Sequence, residues 1–185
     1  MKVNQFRFLT TSDEFDSSFQ NWSRCYEWNY VLKQIESSED IHTVLNSCCG
    51  TMEIHKQFAD VLGTIPNKTI LHTDIFTPTV PIEPFLKWNM CQPSELRFDC
   101  VLCISTLEEL KNSKSEMINA LNNLYNMCKK RLIVTFDYPD VPLDIIEKWV
   151  GEKCKKEGDI LNGSNSSYRN DTYKHLNIVL LDISK

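Results

Sequence analysis

A lone glycine, Gly50, and an acidic residue, Asp74, follow two successive short apolar runs of the sequence. A turn between a strand and a helix presents backbone N–H groups to a ligand. A carboxylate at the end of the next strand can accept hydrogen bonds from the hydroxyl groups of a ribose. The segment 41–55 and the segment 69–75 therefore predict a strand, a tight turn, a helix and a second strand that ends on an acid, a unit suited to a nucleoside ligand.

Other polar side chains follow later apolar runs in the same way. Ser105 ends the run at 98–105, while Asp137 and Tyr138 end the run at 131–138. The carboxyl ends of parallel strands meet at one edge of a sheet, so we expect these groups to surround one crevice with Gly50 and Asp74. Asp137, Tyr138 and His175 are the candidates for catalysis. A local capping role for Asp137 and a structural role for His175 are the alternatives.

The elements that position these residues alternate between strand and helix patterns. We expect strands at 43–46, 69–73, 98–105, 131–138 and 176–183, with a further strand near 86–89. Helices are expected from Gly50 to Leu62, at 113–130 and at 142–156, and residues 158–167 are rich in turn formers. This alternation predicts an α/β, Rossmann-like doubly wound sheet in a single domain over residues 1–185. Residues 1–16 are expected to be irregular, and residues 17–36 to form a helical lead-in cover.

Composition narrows the class of protein. The chain has 185 residues and a net charge of −5, which argues against a nucleic-acid partner. No apolar run approaches the roughly 20 residues that a membrane span needs, and the first 20 residues lack the apolar core of a signal peptide. We therefore expect a cytoplasmic protein with reduced cysteines. Cys100 and Cys103 have the spacing of a metal knuckle, but residues three apart in a strand point to opposite faces, so no metal site is predicted.

Two segments resemble motifs of the class I S-adenosylmethionine-dependent methyltransferases. Residues 44–51, VLNSCCGT, are similar to the V-L-D-x-G-C-G-T-G loop, and residues 98–110 are similar to the F-D-x-V-x-C-I-S-x-L-E-H-I segment. Residues 71–75 stand where the family has its second strand with a ribose-binding acid, and residues 22–28 resemble the lead-in helix of some members. The resemblance spans about residues 19 to 184. It implies a mostly parallel seven-stranded sheet in which the C-terminal strand lies beside the fifth strand and runs antiparallel to it.

The resemblance also implies a cofactor and its contacts. S-adenosylmethionine would place its ribose on Asp74, its methionine part near Gly50, its carboxylate near Arg24 and its sulfonium near Ser105 and Leu107. The cofactor-binding residues that the resemblance implies are Arg24, Asn46, Ser47, Cys48, Gly50, Asp74, Ser105 and Leu107. The expected function is methyl transfer to a small molecule or to an exposed protein group.

The glycine loop departs from the family pattern, which leaves a second function open. Asn46 replaces the loop acid, while Cys48 and Met52 replace two glycines. A non-glycine residue forced to positive φ costs on the order of 1 kcal/mol or more, and its side chain adds bulk. The alternative is therefore a catalytically silent methyltransferase-like module that binds a partner or acts as a scaffold. A nicotinamide-dependent enzyme is less favoured, because one glycine cannot supply the G-x-G-x-x-G turn.

Overall fold

Strands and helices alternate along most of the chain. A computed structural model describes residues 2–9, 18–19, 22–154 and 177–185. The strands are β1 (Lys2–Phe8), β2 (Thr43–Ser47), β3 (Thr69–Asp74), β4 (Phe85–Lys87), β5 (Phe98–Ile104), β6 (Cys128–Tyr138) and β7 (Asn177–Ser184). The helices are α1 (Trp22–Ser37), α2 (Glu53–Gly63), α3 (Lys114–Met127) and α4 (Leu143–Lys153), with a 3-10 helix at Leu107–Leu110.

Within the described residues, the strands form one seven-stranded sheet in the order β1-β7-β6-β5-β2-β3-β4. The neighbouring strands β6, β5, β2, β3 and β4 run parallel to one another. Strand β7 is antiparallel to its two neighbours, β6 and β1. The predicted Rossmann-like, mostly parallel sheet with an antiparallel C-terminal strand is confirmed. The strand order reverses between β2 and β5, and such a reversal leaves a crevice for a ligand at the carboxyl ends of the strands.

The N-terminus forms the outer strand of the sheet. Lys2–Phe8 pairs with β7, so the prediction of an irregular segment over residues 1–16 is wrong for this stretch. Val3, Phe6 and Phe8 are buried, and the register shifts between Val3 and Gln5. That shift interrupts the alternation of buried and exposed side chains by which a strand is recognised in a sequence. Residues 10–17 lie outside the described part of the chain.

Helices cover both faces of the sheet. On one face, the rings of Trp28 in α1 and Phe58 in α2 stack with their centroids 4.9 Å apart. On the other face, Tyr125 of α3 meets Trp149 of α4 edge to face, with a centroid distance of 5.5 Å. Both faces of the sheet are therefore shielded from water near their centre, as a parallel sheet requires.

Strand β5 is buried on both faces. Cys100 packs in the cluster beneath α1 and α2, whereas Cys103 packs in the cluster beneath α3 and α4. The two thiols point to opposite faces, as their spacing in a strand predicts. The nearly continuous apolar sequence of this strand has the same cause, because neither face offers water to a polar side chain.

The helix predicted over residues 113–130 ends earlier than expected. Cys128 has extended backbone angles and pairs with Phe98 of β5, so the helix stops at Met127. Lys129 and Lys130 belong to β6 and do not cap the helix. The predicted helix at 142–156 is observed from Leu143 to Lys153, while residues 155–156 and the turn-rich segment 158–167 lie outside the described residues.

A buried ion pair ties the first helix to the antiparallel side of the sheet. Asp182 of β7 is fully buried and accepts hydrogen bonds from the Nε and Nη2 atoms of Arg131, with the Nε contact at 3.0 Å. The Tyr30 hydroxyl donates to Asp182 Oδ2 at 2.7 Å, and Asn4 Nδ2 donates to Asp182 Oδ1 at 3.0 Å. Burial and the Asp182 carboxylate raise the pKa of Tyr30, which keeps its hydroxyl a donor.

No helix in the described residues is long and apolar enough to cross a membrane.

Candidate functional site

A cavity of about 470 Å³ opens at the carboxyl ends of β2, β3 and β5. Its volume lies within the range of roughly 300–1,000 Å³ typical of small-molecule sites. Six of the eight residues predicted to bind a cofactor line it: Arg24, Asn46, Cys48, Gly50, Asp74 and Ser105. Residues from α1 and from the segments that follow β2, β3 and β5 therefore meet at one cavity.

Two predicted cofactor-binding residues do not line this cavity. Ser47, the last residue of β2, is fully buried. Leu107, at the start of the 3-10 helix, is also fully buried and packs in the core beneath α3 and α4. Both are adjacent in sequence to residues that line the cavity, but their own side chains are buried in the protein, a direction that residue spacing alone did not define.

The Asp74 carboxylate is joined to the turn after β2. Its Oδ2 atom accepts a hydrogen bond from the Gly50 N–H at 3.0 Å, and its Oδ1 atom accepts one from the Phe76 N–H at 3.0 Å. An ionised carboxylate can accept about four hydrogen bonds, so each oxygen retains the capacity for another donor. The backbone thus fixes the carboxylate at the cavity wall, where it can accept from ligand hydroxyl groups.

Gly50 is required by its conformation and by a neighbouring side chain. Its φ of +80° lies in the left-handed region, and a Cβ atom there would lie 2.2 Å from His55 Nδ1. The same Nδ1 atom accepts a hydrogen bond from the Met52 N–H at 3.2 Å, which places the imidazole proton on Nε2. Burial and the Arg24 charge lower the pKa of His55, so the ring is neutral near pH 7.

The residues that replace glycines in this turn leave the cavity open. Cys48 takes a φ of +56° without being glycine, and its Sγ atom lies 3.4 Å from Met90 Sδ. Met52 is 58% exposed at the cavity rim. Asn46, which stands where the family has an acid, donates from Nδ2 to His72 Nδ1 at 3.1 Å. The substitutions therefore alter the polarity and the strain of the turn.

The rim of the cavity carries apolar side chains exposed to solvent. Met52, Ile75 and Phe76 are 58%, 47% and 68% exposed, and all three line the cavity. Exposed apolar residues that gather at a concave site indicate a surface that a ligand covers. Because Ile75 and Phe76 directly follow Asp74, they suit a planar apolar group joined to a sugar.

A buried carboxylate contacts two of the side chains that line the cavity. Glu27 of α1 is fully buried, and its Oε2 atom accepts a hydrogen bond from Arg24 Nη1 at 2.8 Å. Its Oε1 atom accepts hydrogen bonds from the hydroxyl groups of Ser105 and Thr135. The sequence analysis missed Glu27, although its position three residues after Arg24 on a helix is the spacing of a side-chain pair.

Two of the three candidate catalytic residues lie outside the cavity lining. Asp137 and Tyr138 end β6 and are half-buried, but neither lines the cavity. Burial, aided by the Glu27 charge, raises the pKa of Asp137 to about 6, so its proton exchanges near neutral pH. Burial likewise raises the pKa of Glu108 to about 8. His175 lies outside the described residues.

Comparisons with solved structures agree with this architecture. The chain is similar to the magnesium protoporphyrin IX methyltransferase of Synechocystis PCC 6803, solved with bound S-adenosylmethionine: 14% identity, 85% of this chain and 77% of that chain covered, TM-score 0.57. It is also similar to the 1,6-didemethyltoxoflavin-N1-methyltransferase of Burkholderia thailandensis, solved with its substrate and S-adenosylhomocysteine: 11% identity, 91% and 84% covered, TM-score 0.57.

A third similar structure is that of an enzyme with a different activity. It is the [4+2]-cyclase SpnF, with 11% identity, 95% of this chain and 87% of that chain covered, and a TM-score of 0.54. No protein-family model and no curated protein sequence matches the chain. At these identities the structural likeness establishes the fold and leaves the chemistry to the site. The chain has the Rossmann-like fold of the class I S-adenosylmethionine-dependent methyltransferases.

Proposed function

We propose that this chain binds S-adenosylmethionine in the 470 Å³ cavity and transfers its methyl group to a small molecule. One observation carries the proposal. The Asp74 carboxylate ends β3, is held by the Gly50 N–H and faces a cavity at the point where the strand order reverses. A carboxylate in that position of a doubly wound sheet is suited to ribose hydroxyl groups.

The residues of the cavity fit the parts of this cofactor. Asp74 can accept from the ribose hydroxyls, and the exposed side chains of Ile75 and Phe76 can cover the adenine. Arg24, a half-buried cation that lines the same cavity, can donate to the carboxylate of the methionine part. The cavity has its volume of about 470 Å³ with the Cys48 side chain in place, and the Cys48 sulfur packs against Met90.

S-adenosylmethionine, when bound, supplies a methyl group on a sulfonium, and transfer to an acceptor is an in-line displacement. The protein's contribution is to hold both reactants in line and to exclude water. Asp137 lies outside the cavity lining, and its pKa of about 6 suits it to take a proton from an acceptor that extends to the end of β6. We also propose that Tyr138 and His175 lie on the acceptor side of the site. The reaction is further proposed to take place in the cytoplasm.

Isothermal titration calorimetry with S-adenosylmethionine and S-adenosylhomocysteine tests this function. We expect one site per chain, and a dissociation constant about 10- to 100-fold larger in the Asp74→Asn variant, since charged hydrogen bonds are lost. Asp40→Asn is the matched control, because the Asp40 side chain is 72% exposed in the loop before β2. If neither ligand binds at millimolar concentration, the proposed function is wrong.

The silent module is the second candidate, and one observation favours it. Asn46 replaces the loop acid and is hydrogen-bonded within the sheet to His72, so this position offers no charge to a ligand. The cyclase SpnF also shows that the fold occurs with an activity other than methyl transfer. Binding of S-adenosylmethionine without consumption, across a panel of amine, hydroxyl and thiol acceptors, would support this candidate.

A further inference from the structure

Glu27 joins two cavity-lining side chains that come from different elements. Arg24 is on α1, and Ser105 follows β5, yet both contact the carboxylate of Glu27, one at each oxygen. Glu27 itself is fully buried and cannot touch a ligand. Any effect of Glu27 on the cavity must therefore act through Arg24 and Ser105.

The contacts of Glu27 define the hydrogen-bonding direction of Ser105. A carboxylate only accepts, so the Ser105 hydroxyl must donate its proton to Glu27. The oxygen of Ser105 then faces a ligand only as an acceptor. Arg24, in contrast, has no acceptor atom and can only donate. The cavity wall consequently presents one cationic donor and one neutral acceptor, both held by the same carboxylate.

The backbone at Ser105 is held in an uncommon conformation. Its φ is +43°, in the left-handed region that a residue other than glycine rarely adopts. Its N–H donates to the backbone oxygen of Thr135 at 3.0 Å and lies 3.1 Å from Thr135 Oγ1. The Thr135 hydroxyl in turn donates to Glu27. Such conformations persist where the surroundings fix them, and they are concentrated at ligand sites.

We infer that Glu27 is a positioning residue that sets Arg24 as the donor and Ser105 as the acceptor for the zwitterionic amino-acid end of the bound ligand. The ligand carboxylate would accept from Arg24, and the ligand ammonium would donate to Ser105. This inference rests on the proposed function, since it names the part of the ligand that Arg24 and Ser105 recognise.

Two ligands that share the adenosyl group and the sulfur separate this role from a structural one. S-adenosylhomocysteine carries the zwitterion, and 5′-methylthioadenosine lacks it. In Glu27→Gln we expect the dissociation constant of S-adenosylhomocysteine to rise about 10-fold or more, and that of 5′-methylthioadenosine to change less than about twofold. Glu36→Gln is the matched control, because Glu36 is exposed on the same helix.

A second variant protects the test against a folding defect. Ser105→Ala removes the acceptor and leaves Glu27 in place, so it should show the same selective loss even if Glu27→Gln fails to fold. Equal losses for the two ligands, or no loss for either, would overturn the inference and leave the proposed function standing. If the unaltered protein binds neither ligand, the proposed function and the inference are both wrong.

Discussion

Replacing Gly50 by alanine should destabilise the protein by about 2–5 kcal/mol. Two contributions add: the left-handed φ of +80° costs a residue with a Cβ about 1–2 kcal/mol, and overpacking against a fixed neighbour costs about 1–3 kcal/mol. The neighbour is His55, whose Nδ1 and Cγ atoms would lie 2.2 and 2.3 Å from the new Cβ. Urea denaturation measures the total loss of unfolding free energy, provided that the m-value is the same in both proteins.

A double-mutant cycle separates the two contributions. In a His55→Ala background, Gly50→Ala should cost only the conformational part, about 1–2 kcal/mol, because the ring is no longer present. Gly63→Ala is the control, since no atom lies within 4 Å of its Cβ position and its φ is ordinary. A Gly50→Ala cost that is equal in both backgrounds would refute the contact with His55. A cost below about 0.5 kcal/mol in both would refute the turn conformation itself.

Three further changes test the buried charges. Arg131→Met should lower the free energy of unfolding by about 3–5 kcal/mol in urea, because Asp182 is left buried without its cation; a loss under about 1 kcal/mol would contradict the ion pair. The folded-state pKa of Glu108, about 8, lies above its usual 4.5, so the stability that it contributes below pH 4.5 is lost as pH rises to 8. Glu108→Gln should therefore raise the melting temperature more at pH 8 than at pH 5. An equal change at both pH values would be evidence against the raised pKa of Glu108. The pKa of His72, about 4, lies below its usual 6.5, so stability present above pH 6.5 falls by on the order of 3 kcal/mol as pH drops to 4. His72→Gln should flatten that part of the stability curve, and an unchanged curve would contradict the neutral buried ring.

The parallel strands could be predicted because burial on both faces leaves a clear trace in the sequence. The run of β5 is nearly continuous in apolar residues, and β3 ends on the acid that the site needs. Strand β1 left no such trace, since its register shift removes the regular alternation and its position at the edge of the sheet leaves half of its side chains outside the core. Its pairing with β7 joins the two ends of the chain, a contact that local sequence patterns do not encode.

The candidate site was predictable where backbone geometry defines it. The Gly50 turn and Asp74 were located by their spacing from the strands. In the structure the Gly50 nitrogen lies 3.0 Å from Asp74 Oδ2. Side-chain partners were not predictable in the same way. The contact of His55 with Gly50 depends on the shape of the turn before α2. The Glu27 carboxylate meets the hydroxyl groups of Ser105 and Thr135 only after α1 has packed on the sheet.

A crystal structure of the protein soaked with S-adenosylhomocysteine would test the central claim most directly. The account predicts the ligand in the cavity at the carboxyl ends of β2, β3 and β5, with its ribose hydroxyl oxygens about 2.5–3.0 Å from the Asp74 carboxylate. A ligand bound elsewhere, or an empty cavity at a concentration that saturates the protein in solution, would contradict it.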